Sequence, residues 1–295
     1  MTAAANLSRL VETRVVGRVT NPYVPESVYL ASVDGAAFLP IGCGGVHYNV
    51  RVGMGVFDFA ADQVQPGVSI ANPASAANQA LTTFACVGNQ ARVHSGAAAG
   101  AVGVVTGRHE EFSVFQHVLL DFDDGALRAL APGDEVVVDA SGVGLRLEGS
   151  PGVDFHALSP QLWQALPLEV TGRGELLFPV VAVLPPQMVG IGSGRVSAAT
   201  SICLQLDPHT ELGSRLSQLR LGDLVAIRDW DGRFHTGYRP GATVVGVVTT
   251  GSSRWPGHGP SVTLLASGRE GMLQAQVVPS MNVAELLAVG TGRLP

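Results

Sequence analysis

The sequence predicts a mainly β fold, built as two barrel-like β units with a few short helices. Three observations support this: the apolar runs are short and rich in Val, 37 glycines and 18 prolines separate them, and few segments have helical spacing. Short β-branched runs bounded by turn residues are typical of strands. The runs that we interpret as strands are VVGRVT, HVLLDF, DEVVVDA, LLFPVVAVL, DLVAIRD, ATVVGVVTT and SVTLLAS.

Three segments predict short helices. In SPQLWQALP a serine precedes Pro160, and proline is favoured in the first turn of a helix that a serine caps. NVAELLAVG, near the C-terminus, ends in a glycine that can close a helix. The third segment runs from Ser75 to Cys86.

A sequence pattern that occurs twice in the chain suggests two structural units. The segments LRALAPGDEVVVDASG, from Leu127, and LSQLRLGDLVAIRDWDG, from Leu216, share Leu-x-x-Leu-x-x-Gly-Asp before an apolar strand. The glycine allows a positive φ, and the aspartate can bond the turn backbone. AVGVVTG and VVGVVTT form a second such pattern. We expect an N-terminal β unit, residues 1–155, tightly associated with a C-terminal β unit, residues 156–295. Chance similarity between valine-rich strands is the alternative.

Composition limits the classes of function. Hydrophobic residues make up 46% of the chain and charged residues 14%, which predicts a sizeable core and buried oligomer interfaces. The net charge is −6 without any basic run, which argues against a nucleic-acid partner. All 18 basic residues are Arg, so no lysine can form a Schiff base or bind a pyridoxal phosphate. We expect no cofactor.

The cysteines and the apolar segments predict the compartment. Cys43, Cys86 and Cys203 lack metal-site spacing, and an odd count of distant cysteines favours a reducing compartment. The N-terminus lacks a signal-peptide pattern, and prolines interrupt the longest apolar run, so we predict no membrane span. We expect a soluble, cytoplasmic homo-oligomer that binds a small molecule.

The stretch IGCGGVHYNVRVG, residues 41–53, is the first candidate site wall. Successive amides in a glycine-rich loop can bind an anion or a developing oxyanion, and Cys43 could be a nucleophile that His47 activates. Strand alternation would place His47, Asn49 and Arg51 on one face, with Tyr48 on the other. The alternative is a turn followed by an exposed strand.

Three further motifs carry titratable groups. In ADQVQPG, Asp62 is a candidate general base or histidine-orienting group, and the alternative is an aspartate that stabilises the turn. In RWPGHGPSVTLL, His258 lies between two glycines of a proline-stiffened loop, which suits a general acid or base, or is a plain loop residue. GRHEEFSVFQHV brings His109 and His117 together without a His-Glu-x-x-His pattern, and we interpret it as a surface turn.

Several phrases together resemble one family. GGVHYNVRVG, ADQVQPGVS, ACVGNQARVHSG, GVVTGRH, GDLVAIRD and GHGPSVTLL, between about Leu39 and Leu265, are similar to the bacterial and archaeal domain-of-unknown-function 4438 family. The resemblance implies a mostly β, multi-part architecture and no established reaction. The family typically has Asp-His-Val-Glu-Pro-Gly where this chain has Gln63 and Gln65 in place of His and Glu. Gln is a poor transition-metal ligand, so this diverged member is not expected to keep a metal site.

These observations favour a small-molecule enzyme that performs acid–base chemistry, namely a cyclisation, isomerisation, elimination or hydrolysis, in bacterial secondary metabolism. The alternative is a non-catalytic, homo-oligomeric ligand-binding or assembly protein, and a metal-dependent enzyme is third. The predicted catalytic residues are Cys43, His47, Asp62 and His258. The predicted substrate-binding residues are Tyr48, Asn49, Arg51, Asn89 and Ser261.

Overall fold

The computed structural model describes residues 4–24, 27–111, 115–148, 152–191, 201–206, 213–214 and 216–292. Within these ranges the fold is mainly β, as the sequence predicts, with four short α-helices. Two large sheets account for most strands, and each belongs largely to one half of the chain.

A closed six-stranded barrel forms the first half. Its strands are β1 (Thr13–Val19), β5 (Gly67–Ala71), β6 (Gln90–Val93), β7 (Val102–Glu111), β8 (Phe115–Asp121) and β9 (Glu135–Ala140). They follow the order β1-β9-β6-β7-β8-β5, and β5 pairs back onto β1, with Val19 opposite Ile70. Alternate residues point inward, as in β9, where Val136, Val138 and Ala140 are buried. Three two-residue strands precede β5, namely β2 (Leu30–Ala31), β3 (Ala37–Phe38) and β4 (Val46–His47).

A six-stranded sheet organises the second half. It contains β10 (Val153–Phe155), β13 (Ala182–Leu184), β14 (Ser201–Cys203), β15 (Leu224–Asp231), β16 (Gly237–Val248) and β17 (Ser261–Gly268). The order is β10-β17-β16-β15-β13, and β14 also pairs with β17. A three-stranded sheet of β11 (Glu169–Val170), β12 (Leu176–Val180) and β18 (Leu273–Val277) packs nearby. Every residue of β17 is buried, which shows that both of its faces are covered.

The predicted helices are confirmed, and one was missed. The helices are α1 (Ser75–Phe84), α2 (Asp124–Ala129), α3 (Pro160–Ala165) and α4 (Val283–Leu286), and three-residue 3₁₀ helices span Leu7–Arg9, Pro186–Met188 and Gly290–Gly292. Ser159 caps α3 by accepting from the Leu162 amide at 3.1 Å. The sequence did not predict α2, which Asp123 caps through the Ala126 amide. None of the described helices has the length and apolarity that crossing a membrane requires.

The repeated Gly-Asp pattern forms the same turn in both halves of the chain. Gly133 and Gly222 have φ angles of 96° and 88°. The carboxylate of Asp134 accepts from the Ala131 amide at 2.9 Å, and that of Asp223 accepts from the Arg220 amide at 2.8 Å. The predicted turn chemistry is therefore confirmed, and each turn leads directly into a buried strand.

Candidate functional site

The side-chain amide of Gln65 lies at the centre of a buried polar cluster. Its Oε1 accepts from the Gly44 amide at 2.8 Å and from the Ser69 hydroxyl. His117 Nδ1 lies 3.1 Å from the same oxygen, and His109 Nδ1 lies 2.6 Å from Nε2. A backbone N–H can only donate, so the bond from Gly44 fixes which end of the amide is oxygen.

This orientation assigns opposite tautomers to the two imidazoles. Gln65 Nε2 donates, so His109 Nδ1 accepts and the proton of that ring resides on Nε2. Gln65 Oε1 accepts, so His117 Nδ1 carries the proton and Nε2 has the lone pair. The cluster therefore offers one N–H donor, on His109, and one basic nitrogen, on His117.

Strand register explains why the two histidines meet. β7 and β8 are antiparallel, and His109 lies directly opposite His117, so both side chains leave the same face of the sheet. Phe115 stacks on His117 at 4.6 Å between ring centroids and meets the ring of His109 edge-on at 5.3 Å. Tyr23 packs against Phe115 at 5.2 Å. Aromatic rings thus hold the imidazoles in place from the side.

Burial keeps these imidazoles neutral. Desolvation lowers the pKa of His109 to about 3, and the charges of His117 and His258 contribute in the same direction. Desolvation lowers the pKa of His117 to about 4. Burial also lowers the pKa of His156 to about 4, and the charge of Arg108 contributes in the same direction. We call His109, His117 and His156 the low-pKa histidines. The buried Nε2 of His109 has no hydrogen-bond partner in the described parts of the chain.

Asp62 binds the start of the loop that carries His258. The Asp62 carboxylate accepts from the Arg254 amide at 2.8 Å and from the Ser253 hydroxyl at 2.9 Å. Burial raises the pKa of Asp62, although those bonds and the charge of His258 oppose the rise. His258 Nδ1 donates to the Pro256 carbonyl at 3.0 Å, which places the lone pair of this ring on Nε2. Burial lowers the pKa of His258.

Gln63 connects Cys43 to the second half of the chain. Its Nε2 donates to Cys203 Sγ and to the Gly259 carbonyl, both at 3.1 Å. Cys43 Sγ donates to the Gln63 carbonyl at 3.8 Å, and Ser261 Oγ lies 3.6 Å from Cys203 Sγ. The φ angle of Gln63 is 49°, a conformation that costs a non-glycine residue about 1–3 kcal/mol unless its surroundings enforce it.

The predicted polar strand face around His47 does not form. β4 ends at His47, and Tyr48 and Asn49 follow in an exposed turn, so the expected alternation through Arg51 was wrong. His47 itself stays near the cluster, because β4 pairs with β5 opposite Gly67. Burial lowers the pKa of His47, and a hydrogen bond to the backbone of Gln65 opposes the change.

Arg51 and Asn89 hold the fold together. Arg51 Nε donates to Asp121 Oδ1 at 3.0 Å, its NH2 donates to the Phe122 carbonyl at 2.8 Å, and its NH1 pairs with Asp124. The oxygen of Asn89 accepts from the Cys86 amide at 2.8 Å, and its amide donates to the Ser141 carbonyl at 2.9 Å. Because these polar groups are committed to internal partners, we leave both residues out of the candidate site.

An open cavity of about 720 Å³ lies away from the histidines. Gly88, Gln90, Ser141 and Gln161 are among its lining residues, so it flanks the buried Asn89. Smaller cavities of about 510 Å³ and 470 Å³ lie near Asp223 and near Arg239. Their linings include none of the predicted catalytic residues.

The sequence therefore located the region of the cluster but not its centre. Asp62 belongs to residues 62–65, and Cys43, His47 and His258 contact or adjoin that segment, whereas the segment of His109 and His117 was interpreted as a surface turn. The available signal was the spacing of His109 and His117, which suits opposed positions in a hairpin. Gln65 was noted only as a departure from the family pattern, because its partners are 44 and 52 residues away and leave no local signal.

Fold and site together define a two-part β protein with buried, neutral histidines beside the barrel. Comparison then places it in a family. The chain matches the N-terminal model of the domain of unknown function DUF4438 over residues 29–164 and its C-terminal model over residues 165–287. The protein belongs to the DUF4438 family, as the resemblance suggested.

A solved structure is similar to this chain over nearly its whole length. The structure titled "Crystal structure of TM1086" is 34% identical to this chain, with a TM-score of 0.90. The alignment covers 96% of this chain and 98% of that one. No curated protein matches.

Proposed function

We propose that this protein is an enzyme that performs acid–base chemistry on a small carbonyl compound, in the cytoplasm and in bacterial secondary metabolism. The observation that carries the proposal is the tautomer assignment at Gln65. A single amide holds one buried imidazole as an N–H donor and the opposite one as a base. Complementary donors and acceptors on neighbouring titratable groups are what proton transfer requires.

His117 would be the general base. Its Nε2 removes a proton from a carbon next to the carbonyl, and the imidazolium that forms keeps its hydrogen bond to Gln65 Oε1. A pKa of about 4 keeps His117 unprotonated at neutral pH but makes it a weak base. The substrate must therefore receive help as it gains negative charge.

His109 would give that help. Its Nε2–H donates a hydrogen bond to the carbonyl oxygen, on which charge develops as the proton leaves. The low pKa of His109 keeps its imidazole neutral, and a neutral imidazole can donate this hydrogen bond without losing its proton. An enolate stabilised in this way can proceed to isomerisation, elimination or cyclisation.

The loop of Asp62 and His258 and the pair of Cys43 and His47 remain in the proposal as neighbouring groups. The Asp62 carboxylate holds the loop that carries His258, and the charge of His258 reaches His109. We propose that the His117 imidazolium returns its proton to the product and that His258, His47 and Cys43 shape the approach of the substrate.

The test is solvent-deuterium exchange, followed by NMR, across a panel of enolisable ketones and unsaturated carbonyl compounds. For an accepted compound, His117→Gln should slow exchange by about 10²–10⁴-fold, the range for a lost general base. His109→Gln should slow it by about 10²–10³-fold, as for a lost oxyanion donor. His94→Gln is the matched control, because His94 is exposed. No exchange across the panel, or equal exchange by wild type and His117→Gln, would refute the proposal.

One observation favours a second candidate, a non-catalytic homo-oligomeric assembly protein. Apolar side chains are exposed between residues 24 and 48, and we propose that they form one patch, which we call the 24–48 surface: Val24, Val28, Tyr29, Val33, Leu39, Ile41 and Tyr48. Exposed apolar patches mark interaction sites. Sedimentation velocity should show that Val33→Glu dissociates the homo-oligomer. Phe234→Glu should not, because Phe234 is an exposed apolar residue outside the 24–48 surface. Identical sedimentation of both variants and wild type would exclude this role for the surface.

A further inference from the structure

The backbone that carries His109 is held by side chains from the other half of the chain. Thr263, in β17, uses one hydroxyl twice: it accepts from the Arg108 amide at 2.9 Å and donates to the Arg108 carbonyl at 3.0 Å. Thr249 lies 3.3 Å from the same carbonyl. On the other side of His109, the Glu110 amide donates to Ser201 Oγ at 3.3 Å. Hydroxyls thus bind the residues immediately before and after the histidine.

This arrangement replaces the ladder of a β-sheet. A neighbouring strand would satisfy the amide and carbonyl of one residue with two backbone groups, whereas Thr263 satisfies both with one oxygen. Close approach is needed, and Gly107 permits it, since a Cβ there would lie 2.1 Å from Thr249 Cγ2. The register between β7 and β8 also shifts between Val105 and Gly107, just before the held segment.

We propose that Thr263 is a positioning residue for His109, and this rests on the function proposed above. Fixing Arg108 fixes the direction in which the His109 side chain leaves the strand. The 2.6 Å bond from Gln65 to His109 Nδ1 depends on that direction. The acid–base pair is therefore composite: barrel strands β7 and β8 carry the two imidazoles, and the second sheet sets the alignment of His109.

The test compares Thr263→Val, which keeps the shape but loses both bonds, with Thr263→Ser, which keeps the hydroxyl. Thr243→Val in β16 is the control for valine substitution in this sheet. The first readout is the ¹⁵N spectrum of the imidazoles, which reports tautomers without any substrate. In Thr263→Val the His109 signals should move from a single Nε2–H form to a mixture. Thr263→Ser and Thr243→Val should match wild type.

The second readout is deuterium exchange, which should fall at least tenfold in Thr263→Val and recover in Thr263→Ser. Folded Thr263→Val with unchanged His109 signals overturns the proposal. Shifted signals in a protein without exchange activity support positioning and refute only the proposed function. If Thr263→Val does not fold, Ser201→Ala replaces it, because it removes the hydroxyl that binds the Glu110 amide. Unchanged His109 signals in folded Ser201→Ala then count against the proposal.

Discussion

Replacing Gln65 with Glu is the most direct test of the tautomer assignment. The variant keeps the shape of the side chain and can still accept from the Gly44 amide and from His117 Nδ1. It cannot donate to His109 Nδ1, which lies 2.6 Å from the present Nε2. Two lone pairs would then face each other across a hydrogen-bond distance, and a proton moving onto His109 Nδ1 relieves the repulsion.

The size of the effect follows from charge and distance. At about 3 Å and an effective dielectric constant of about 20, a carboxylate and an imidazolium attract by about 5 kcal/mol. This equals roughly 4 pKa units at about 1.4 kcal/mol per unit. Part of it offsets the burial of the carboxylate, so we expect the pKa of His109 to rise by about 2 units or more. The starting value is about 3.

The assay is a pH titration of the imidazole ¹⁵N and Hε1 signals. His109 in Gln65→Glu should acquire a protonated Nδ1 and titrate above about pH 5, and His117 should shift in the same direction. Gln90→Glu, on an exposed position of β6, adds the same charge away from the histidines and should leave both titrations unchanged. Native tautomers and unchanged titrations in Gln65→Glu would refute the orientation of the amide and the acid–base assignment that depends on it.

Three predictions concern stability, each measured by urea unfolding. Below pH 6.5 the histidines bind protons in the unfolded chain, whereas the low-pKa histidines of the folded protein stay neutral, so together they should lower the free energy of unfolding by about 4 kcal/mol between pH 6 and 5. His156→Gln should reduce the dependence of this free energy on pH by about a third, and an unchanged dependence would contradict the prediction. Gly107→Ala should destabilise by about 1–3 kcal/mol through overpacking against Thr249, whereas Gly172→Ala, which meets open space, should not. Equal effects of the two substitutions would exclude the close approach of Thr249 to Gly107. Arg51→Met should cost about 3–5 kcal/mol, because it removes the positive charge that faces the buried Asp121 carboxylate, and a loss below about 1 kcal/mol would show that water replaces the guanidinium.

Local chemistry explains which parts of the fold the sequence predicts. A capped helix start needs only Ser159 and the amide three residues later, and the Gly-Asp turns need only the residues within each turn. These interactions span three residues, so their sequence signals are complete. The strand expected through Arg51 failed for the opposite reason. The hydrogen-bond partners of Arg51 are 70 to 73 residues away, and the chain leaves the sheet directly after His47 to reach them.

The centre of the site depends on register and could not be derived in the same way. His109 and His117 become partners only because β7 and β8 pair with that offset, and Gln65 reaches both only because β5 lies on the other side of β8. Their neutral state arises from burial, which depends on the whole packed molecule. The sequence reveals which residue types are available, whereas the tautomers require the position of a single amide, that of Gly44.

The hydroxyl that holds Arg108 has a consequence for how the molecule matures. Thr263 is 155 residues further along the chain than the backbone that it binds. During synthesis the barrel strands leave the ribosome long before β17 does, and domains generally begin to fold from the N-terminal end. A nascent barrel would therefore contain both histidines before the Thr263 hydroxyl that binds Arg108 had been synthesised. Alignment of the two imidazoles would therefore come late, when the second sheet packs against β7, and chains that end before β17 would lack it.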